Sequence, residues 1–574
     1  MKDLGGPRAA SRSLRRINRA FGAVPYQARP TKLSFFLNLS SVKSLQSPFL
    51  YPRKYSGGCF VPFTVGDLRR YCSLLLLCAT YAAAQNFEQR TTRYLDSIRK
   101  QPPLLLAFLR DMPKGGDLHN HLDGAIYAED LIDFAADGNL CADRTSSRLL
   151  APPCDESCAS YTVKPAARCS YGDPVLYNQL IDAWSMRNWN AGNESGHDHF
   201  FATFDKFGLA SYTHVAKAIA TSTNRAGEDH LQYVEYMHTA DGGAAADLAK
   251  KVEWNPDYAK MRDAMFSAGI KDVAAQTSKQ LAADHARAQE IMKCGTPDAT
   301  PGCAVTVRYL YQVLRGLPRE VVFAQMLLGF ELASSDPKFV GLNLVMPEDW
   351  YVPIHDFNQH IAMLDYLHSV YPKVHIALHA GELAIGLVPP EDLTFHIRAS
   401  IDRGHAERIG HGVDVMNEKD PIALLHEMAA RNILVEICLT SNDIILGVSG
   451  DDHPLPIYMK YEVPVALASD DEGVNRSDMT HEYLRAVETY HLSYADLKRM
   501  ARESLEHSFL PGKSLWAETK PVFRMVPECA TGTFAQPSYA CVGEFLAENQ
   551  RANEQWKLEA ALAKFEASNF EKKQ

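Results

Sequence analysis

Short apolar runs rich in β-branched residues alternate with helical patterns along much of this chain, and several runs end in polar side chains. The run at 374–379 ends at His379 with Glu382 just beyond, and the run at 463–468 is followed by Asp470. Continuous apolar strands are typical of parallel sheets that are buried on both faces. Their alternation with helical patterns therefore predicts an α/β fold with a parallel sheet.

Polar residues at the ends of such strands favour a TIM-type (β/α)8 barrel, because that fold assembles its active site there. We expect a Cys-rich insertion after the first strand and helical extensions at both termini. A doubly wound open sheet is the alternative, but barrel closure more easily brings residues near 120 and 470 together. Further strand candidates are Leu231–Met237, Phe339–Val345 and Ile433–Leu439, and helical patterns cover Val321–Leu332, Phe357–Ser369, Pro390–Arg403 and Pro421–Ala430.

Histidines and carboxylates from distant segments suggest one metal site. His119 and His121 lie two residues apart in an extended stretch, so their side chains point to the same side. A third imidazole from His379 and a carboxylate near 470 complete the parts of a catalytic zinc site with one open coordination position. A hydrolase that acts through a metal-activated water molecule is the leading interpretation.

Five linked motifs occur in the order found in one enzyme family. The chain resembles the adenosine deaminase family of the metallo-dependent hydrolases, and within it the secreted branch related to the adenosine deaminase growth factors. The resemblance spans roughly residues 112–500. The motifs are Met112–Gly124, His379–Glu382, Arg408–Gly412, Leu439–Asn442 and Ser469–Asp471.

The resemblance implies hydrolytic deamination of a purine nucleoside, adenosine or deoxyadenosine, to inosine or deoxyinosine plus ammonia. It implies one Zn²⁺ per chain, held by four ligands: His119, His121, His379 and Asp470.

The resemblance also assigns catalytic and substrate-binding roles. His411 would help to deprotonate the attacking water, Glu382 would protonate the purine ring, and Asp471 would accept a hydrogen bond from it. Asp123 would bind a ribose hydroxyl. Met346 stands where the family has a small glycine whose backbone faces the purine, and Pro347 removes the next N–H.

Each role has an alternative. Glu382 could orient a metal ligand, and His411 could be a fourth nitrogen ligand with Asp470 outside the coordination shell. Asp471 could cap the following helix, and Asp123 could only shape a turn. If Glu382 is the acid, its pKa must be raised by partial burial and by hydrogen bonding to the neutral form.

Rival functions differ in the residues that they require. A cytidine-deaminase-type enzyme needs Pro-Cys-x-x-Cys after His-x-Glu, which this chain lacks. Two-metal amidohydrolases place a lysine on the fourth strand, where this chain has none. A deaminase of AMP, adenine or a modified purine is the closest alternative, and a secreted binding or signalling module with a vestigial zinc site is the non-enzymatic one.

Charge is unevenly distributed over the 574 residues. The net charge is −10, but residues 1–84 are strongly basic and the remainder is acidic. An acidic body disfavours nucleic acid as a partner, because phosphate contacts need Lys and Arg. The expected partner is a small purine nucleoside, with a homodimer and a receptor or glycan contact through the insertion as further candidates.

The amino-terminal region contains a signal-peptide pattern at 65–84. Arg69-Arg70 precede a short apolar core and then Ala82–Ala84, and the core is too short to span a bilayer. A signal peptide should begin the chain, yet no methionine lies between Met1 and Met112, so we expect translation to start at a non-methionine codon such as that of Val65.

Export to a secreted or periplasmic location follows from that pattern, and organelle targeting or a lipid anchor at Cys78 is the alternative. The expected segments are 1–64 as a disordered or non-native leader, 85–111 as a helical lead-in, 112–515 as the barrel with its insertion at about 138–190, and 516–574 as a helical extension.

Cysteine usage also favours export. Cys438 lies inside an apolar strand and is expected to be a buried free thiol. Disulfides are predicted at 294–303 and 529–541. Two more bridges of undetermined pairing, or a zinc knuckle, are expected from Cys141, Cys154, Cys158 and Cys169.

Overall fold

Eight parallel strands form one sheet whose spatial order follows the chain order. The computed structural model describes residues 87–534 and 536–568, so the predicted leader and signal segment lie outside the described residues. The predicted α/β fold with a TIM-type barrel is confirmed. From β1 to β8 the strands are Gly115–His121, Leu231–His238, Thr306–Leu314, Phe339–Val345, His375–Ala380, Arg408–His411, Leu434–Ile437 and Val465–Leu467.

The barrel closes between β1 and the residues that follow β8. The Asp470 N–H donates to the His119 carbonyl at 2.9 Å, and the His121 N–H donates to the Asp470 carbonyl at 3.1 Å. The open-sheet alternative is therefore wrong, because the first and last strands are joined. Because these hydrogen bonds join the two backbones, closure also places His119 and His121, the two predicted metal ligands of β1, beside Asp470.

Helices connect and surround the strands. The helix Arg319–Ser335 is buried along most of its length, as its nearly continuous apolar sequence predicts. Within the described residues, none of the helices combines the length and apolarity that crossing a membrane requires. A first helix covers 87–98. The others are Pro102–Asp111, Ala128–Asp137, Pro174–Ala183, Gly196–Thr213, Val215–Glu228, Ala244–Ala249, Tyr258–Ala268, Ile270–Ile291, Arg319–Ser335, Tyr351–His355, Phe357–Val370, His396–Asp402, Pro421–Arg431, Leu439–Leu446, Leu455–Lys460, Glu472–Asn475, Met479–Tyr490, Tyr494–Glu506, Leu546–Glu548 and Gln550–Glu566.

The helix Tyr494–Glu506 packs across the barrel seam against β1 and β8. Ser493 and Asp496 form a reciprocal capping box at its start, which satisfies two backbone donors. At Gly115 the backbone has φ +74°, and a Cβ there would lie 2.3 Å from the Ala501 carbonyl oxygen. Only glycine permits this close approach of helix and strand.

A buried ion-pair network fills the barrel below the strand ends. Arg408 Nη2 lies 2.6 Å from Glu235 Oε2, and its Nε lies 2.7 Å from Glu436 Oε1. Its guanidinium stacks 3.9 Å from the ring centre of Phe509. Two carboxylates and an aromatic face compensate one cation, which a charge removed from water requires.

The cysteine predictions are confirmed, and the structure supplies the pairing that the sequence left open. The zinc-knuckle alternative is wrong, because its four cysteines form disulfides. Cys438 is a buried free thiol. Four bridges fit an oxidising compartment. They join Cys141 to Cys154, Cys158 to Cys169, Cys294 to Cys303 and Cys529 to Cys541.

The carboxyl-terminal helix Gln550–Glu566 packs across the barrel. Leu558 and Leu562 are buried in one apolar cluster with Leu118 of β1 and Tyr233 of β2. All four side chains are almost completely buried. The helix is therefore expected to stabilise the two strands that carry the first part of the site.

Leu558→Ala is expected to lower the free energy of unfolding by about 2–5 kcal/mol, because it removes buried methyl groups and leaves a cavity. Denaturant unfolding measures the change. Lys557→Ala is the matched control on the same helix, since the Lys557 side chain is exposed and its buried partner Glu554 keeps hydrogen bonds from Gln232 and Thr306, so the loss should be only about 1 kcal/mol. Equal losses in the two variants would contradict a structural role for the buried face.

Candidate active site

Hydrogen bonds from their Nδ1 atoms orient the two histidine rings of β1. His119 Nδ1 donates to Glu436 Oε2 at 2.7 Å, and His121 Nδ1 donates to Gln312 Oε1 at 3.0 Å. Both Nε2 atoms are thereby turned toward one carboxylate oxygen. Asp470 Oδ1 lies 3.4 Å from His119 Nε2 and 3.3 Å from His121 Nε2.

The third predicted histidine ligand comes from the end of β5. His379 Nδ1 lies 2.8 Å from Asn343 Oδ1, and its Nε2 lies 3.2 Å from His121 Nε2. A polar side chain thus holds His379 in the same way as the two histidines of β1. Such partners fix both the tautomer and the ring direction of a metal-binding histidine.

The donor set fits a four-coordinate divalent metal ion. Ligand bonds of about 2.0–2.1 Å in a tetrahedral site imply distances of about 3.3 Å between ligand atoms, close to the three separations given above. His119 Nε2 is buried and has no hydrogen-bond partner in the described part of the chain. Ser441 Oγ donates to Asp470 Oδ2 at 2.6 Å and leaves Oδ1 facing the imidazoles.

His411 lies at the end of β6 with φ +66°. Its Nδ1 donates to Asn442 Oδ1 at 2.9 Å, and its Nε2 lies 3.7 Å from Glu382 Oε1 and 3.9 Å from Asp470 Oδ2. Ligand atoms of His411, His119, His379 and Asp470 also lie within 4.8 Å of one another. His411 therefore stands where a base would act and close enough to be the alternative ligand predicted above.

Glu382 lies two residues beyond β5, with its side chain buried. Its backbone N–H donates to Glu348 Oε2 at 2.8 Å. Burial raises the pKa of Glu382, and the charges of Asp470 and Glu348 raise it further against the opposing effect of His411. The direction agrees with the expectation for a general acid, which must be protonated near neutral pH.

The Asp471 side chain packs closely against Gly124, the residue that follows Asp123. Asp471 precedes the helix Glu472–Asn475, but its side chain makes no capping hydrogen bond. A Cβ at Gly124 would lie 1.6 Å from Asp471 Oδ1, so glycine is required there. Asp123 lies in the turn before Gly124, where burial raises its pKa and His238 and a hydrogen bond from Ser211 lower it.

Met346 occupies the predicted purine-facing position with φ +99°, a conformation that favours glycine. Its side chain turns toward Gly316, whose N–H lies 3.3 Å from the Met346 sulfur. Its carbonyl oxygen accepts from Arg315 Nε at 3.3 Å. The backbone thus keeps a glycine-like conformation although the side chain is large.

The supporting residues were missed by sequence reasoning. Asn343 and Glu436 lie in predicted apolar strands, and Gln312 lies in β3, which was not among the strand candidates, although each contacts a predicted metal ligand. The sequence signal for these three residues is a polar side chain inside an otherwise apolar run. Such a side chain requires a hydrogen-bond partner when it is buried.

A family model described as Adenosine deaminase matches residues 251–517. The matched region includes His379, Glu382, His411 and Asp470, and the histidines of β1 precede it. Residues 251–517, slightly under half of the chain, match the adenosine deaminase family. Members of this family belong to the metallo-dependent hydrolases.

Two adenosine deaminases illustrate the similarity. The protein of Clostridium perfringens (strain 13 / Type A) is 30% identical over 135 residues, which are 23% of this chain and 37% of that protein. The protein of Salmonella heidelberg (strain SL476) is 37% identical over 137 residues, which are 24% of this chain and 38% of that protein. The chain thus spans less than two fifths of these relatives.

Among solved structures, the N6-methyl-AMP deaminase of Arabidopsis thaliana matches 71% of this chain and 94% of its own length. The TM-score is 0.44 and the sequence identity is 19%.

Proposed function

We propose that this chain is a metal-dependent aminohydrolase that deaminates a purine nucleoside, adenosine or deoxyadenosine. The observation that carries the proposal is the convergence of three imidazoles and the Asp470 carboxylate beside Glu382 and His411. A purely structural metal site needs no buried acid and base next to its ligands. The match to the adenosine deaminase family supports the same reaction class.

His119, His121, His379 and Asp470 would hold one Zn²⁺ per chain. When bound, the ion would supply a nucleophile at neutral pH by lowering the pKa of water from 15.7 to about 7. The hydrogen bonds to Glu436, Gln312 and Asn343 keep the three imidazoles oriented for this role.

His411 takes the proton of the attacking water. Its Nδ1–H is engaged by Asn442, so its Nε2 carries the lone pair that faces Glu382 and Asp470. A positioned base of this kind typically contributes about 10²–10⁴-fold to the rate.

Glu382 protonates the ring nitrogen beside the carbon that water attacks, which makes the ring a better electron acceptor. A C–O bond forms at that carbon, and the proton that His411 took from water passes to the amino group, which leaves as ammonia when its C–N bond breaks. The proton from Glu382 stays on the ring nitrogen of the product, and the proton of the added hydroxyl returns to Glu382 as the C=O bond forms. The nitrogens of the five-membered ring of a nucleoside carry no hydrogen, so Asp471, whose pKa is raised by burial, donates a hydrogen bond to this ring instead of accepting one. Asp123 binds a ribose hydroxyl, and the backbone at Met346 faces the purine.

We place this activity in a secreted or periplasmic compartment, in the growth-factor-like branch of the family. The four disulfides support this location. The insertion at about 138–190 carries two of the bridges and would contact a receptor or glycan. A homodimer is a further candidate assembly.

Ammonia release from adenosine, deoxyadenosine, AMP and adenine tests the proposal with mature protein. We expect adenosine or deoxyadenosine to have a kcat/KM at least about tenfold above those of AMP and adenine. Chelator-treated protein is the matched control and should regain activity with Zn²⁺. Turnover of AMP alone would favour a phosphate-recognising deaminase, and a metal-loaded protein inactive on all four compounds would favour the binding module.

A further inference from the structure

A buried ion pair lies behind the turn that joins His379 to Glu382. Arg315 follows β3 and Glu348 follows β4, and each is 2% exposed. Arg315 Nη2 lies 4.0 Å from Glu348 Oε2. Such a pair is weak grounds for stability, because taking two charges out of water can cost as much as their attraction returns.

Arg315 contacts the backbone of two site segments. Its Nη1 donates to the His379 carbonyl at 3.2 Å, and its Nε donates to the Met346 carbonyl at 3.3 Å. One planar guanidinium therefore ties a predicted metal ligand to the predicted purine-facing backbone. Its fixed geometry suits this bridging role better than a flexible ammonium would.

Glu348 holds the other end of the same turn. Its Oε2 accepts the Glu382 N–H at 2.8 Å, and its Oε1 lies 4.0 Å from His396 Nδ1. The ion pair thus fixes the backbone before and after Ala380-Gly381. Gly381 has φ +76°, a backbone conformation that glycine adopts without strain and that allows the tight turn between these two contacts.

We propose that Arg315 and Glu348 are positioning residues for the deamination, which rests on the proposed function. They act through the backbone of His379, Glu382 and Met346. Their pairing keeps the acid, one metal ligand and the purine-facing backbone in a single geometry. A misplacement of about 1 Å in such an arrangement can cost about 10²-fold in rate.

Glu348→Met removes the acceptor of the Glu382 N–H and nearly keeps the side-chain volume. We expect kcat for adenosine to fall about 10–100-fold while KM stays within about threefold and one metal ion per chain is retained. Glu348→Gln keeps an acceptor oxygen and is expected to lose less than about tenfold. Wild-type kcat in Glu348→Met would overturn the proposal.

The double variant Arg315→Met/Glu348→Met separates positioning from stability and guards against misfolding of a single variant. Replacing both charges by apolar side chains of similar size is often neutral or stabilising. We expect the thermal midpoint to stay near or above that of wild type while kcat remains low. Recovery of wild-type kcat together with stability would show a merely structural role.

The Co²⁺-substituted protein gives a second measurement that does not depend on turnover. Visible absorption of cobalt reports ligand geometry, so Arg315→Met should shift the band, whereas Arg315→Lys, which keeps a donor, should shift it less. An unchanged band in Arg315→Met would overturn the role at His379. If wild type released no ammonia from any purine, the proposed function would fail, and this band would still decide whether Arg315 orients the ligand.

Discussion

Glu382→Gln is expected to lower kcat for adenosine by about 10²–10⁴-fold with the metal still bound. Glutamine matches the size of the protonated acid but has no proton of comparable acidity to transfer to the ring nitrogen. The backbone hydrogen bond from residue 382 to Glu348 does not involve the altered side chain, so the turn should keep its shape. Initial rates of ammonia release measure kcat, and metal analysis of the same sample measures how much metal is bound.

Glu391→Gln is the matched control for this variant. Glu391 is an exposed carboxylate further along the loop that follows β5, and the same chemical change there should leave kcat within about twofold. If Glu382→Gln kept wild-type kcat, the carboxyl would not be the acid and its role in orienting a neighbouring ligand would gain support. Loss of the metal in Glu382→Gln would point to the same alternative.

The positions of His379, His411 and Asp470 were predictable because each lies at, or just after, the carboxyl end of a strand. His379 ends β5, His411 ends β6, and Asp470 follows β8, so a parallel barrel brings them to one face regardless of detail. Local spacing also predicted the two disulfides at 294–303 and 529–541. The disulfide prediction depends only on neighbours in sequence. The site prediction depends on one rule of the fold, that the carboxyl ends of parallel barrel strands lie on the same face.

The remaining features depend on register between distant strands. That Glu436 of β7 reaches His119 of β1 follows from side-chain placement across the barrel interior, which no local pattern encodes. The pairing of Cys141 with Cys154 likewise depends on the path of the insertion. Met346 shows a further limit, since its positive φ is a conformation that its residue type disfavours and the surrounding contacts impose.

The buried polar residues form a continuous connection beneath the site. His119 contacts Glu436, Glu436 contacts Arg408, and Arg408 contacts Glu235. The orientation of a predicted metal ligand is thus coupled to the ion pairs that fill the barrel. A change at Arg408 would leave two carboxylates uncompensated and is expected to disturb His119 as well as stability.

The roles of His121 and His411 make opposite predictions for metal binding. If His121 is a ligand and His411 a base, His121→Ala should weaken Zn²⁺ affinity by at least about 10²-fold, since even loss of a ligand's supporting partner costs about 10–100-fold. His411→Ala should retain one metal ion per chain and lose about 10²–10⁴-fold in kcat. Competition with a chromogenic chelator measures affinity, and ammonia release measures kcat.

His405→Ala serves as the control, because this histidine lies in the loop before β6 and contacts Asp365 outside the site. It should retain both affinity and kcat. The reverse pattern, with metal lost in His411→Ala and kept in His121→Ala, would favour the ligand group of His119, His379, His411 and Asp470. In that arrangement Asp470 would still lie 3.3 Å from His121, although His121 would not bind the metal. The two ligand sets share His119, His379 and Asp470, and the chelator experiment decides which histidine completes the set.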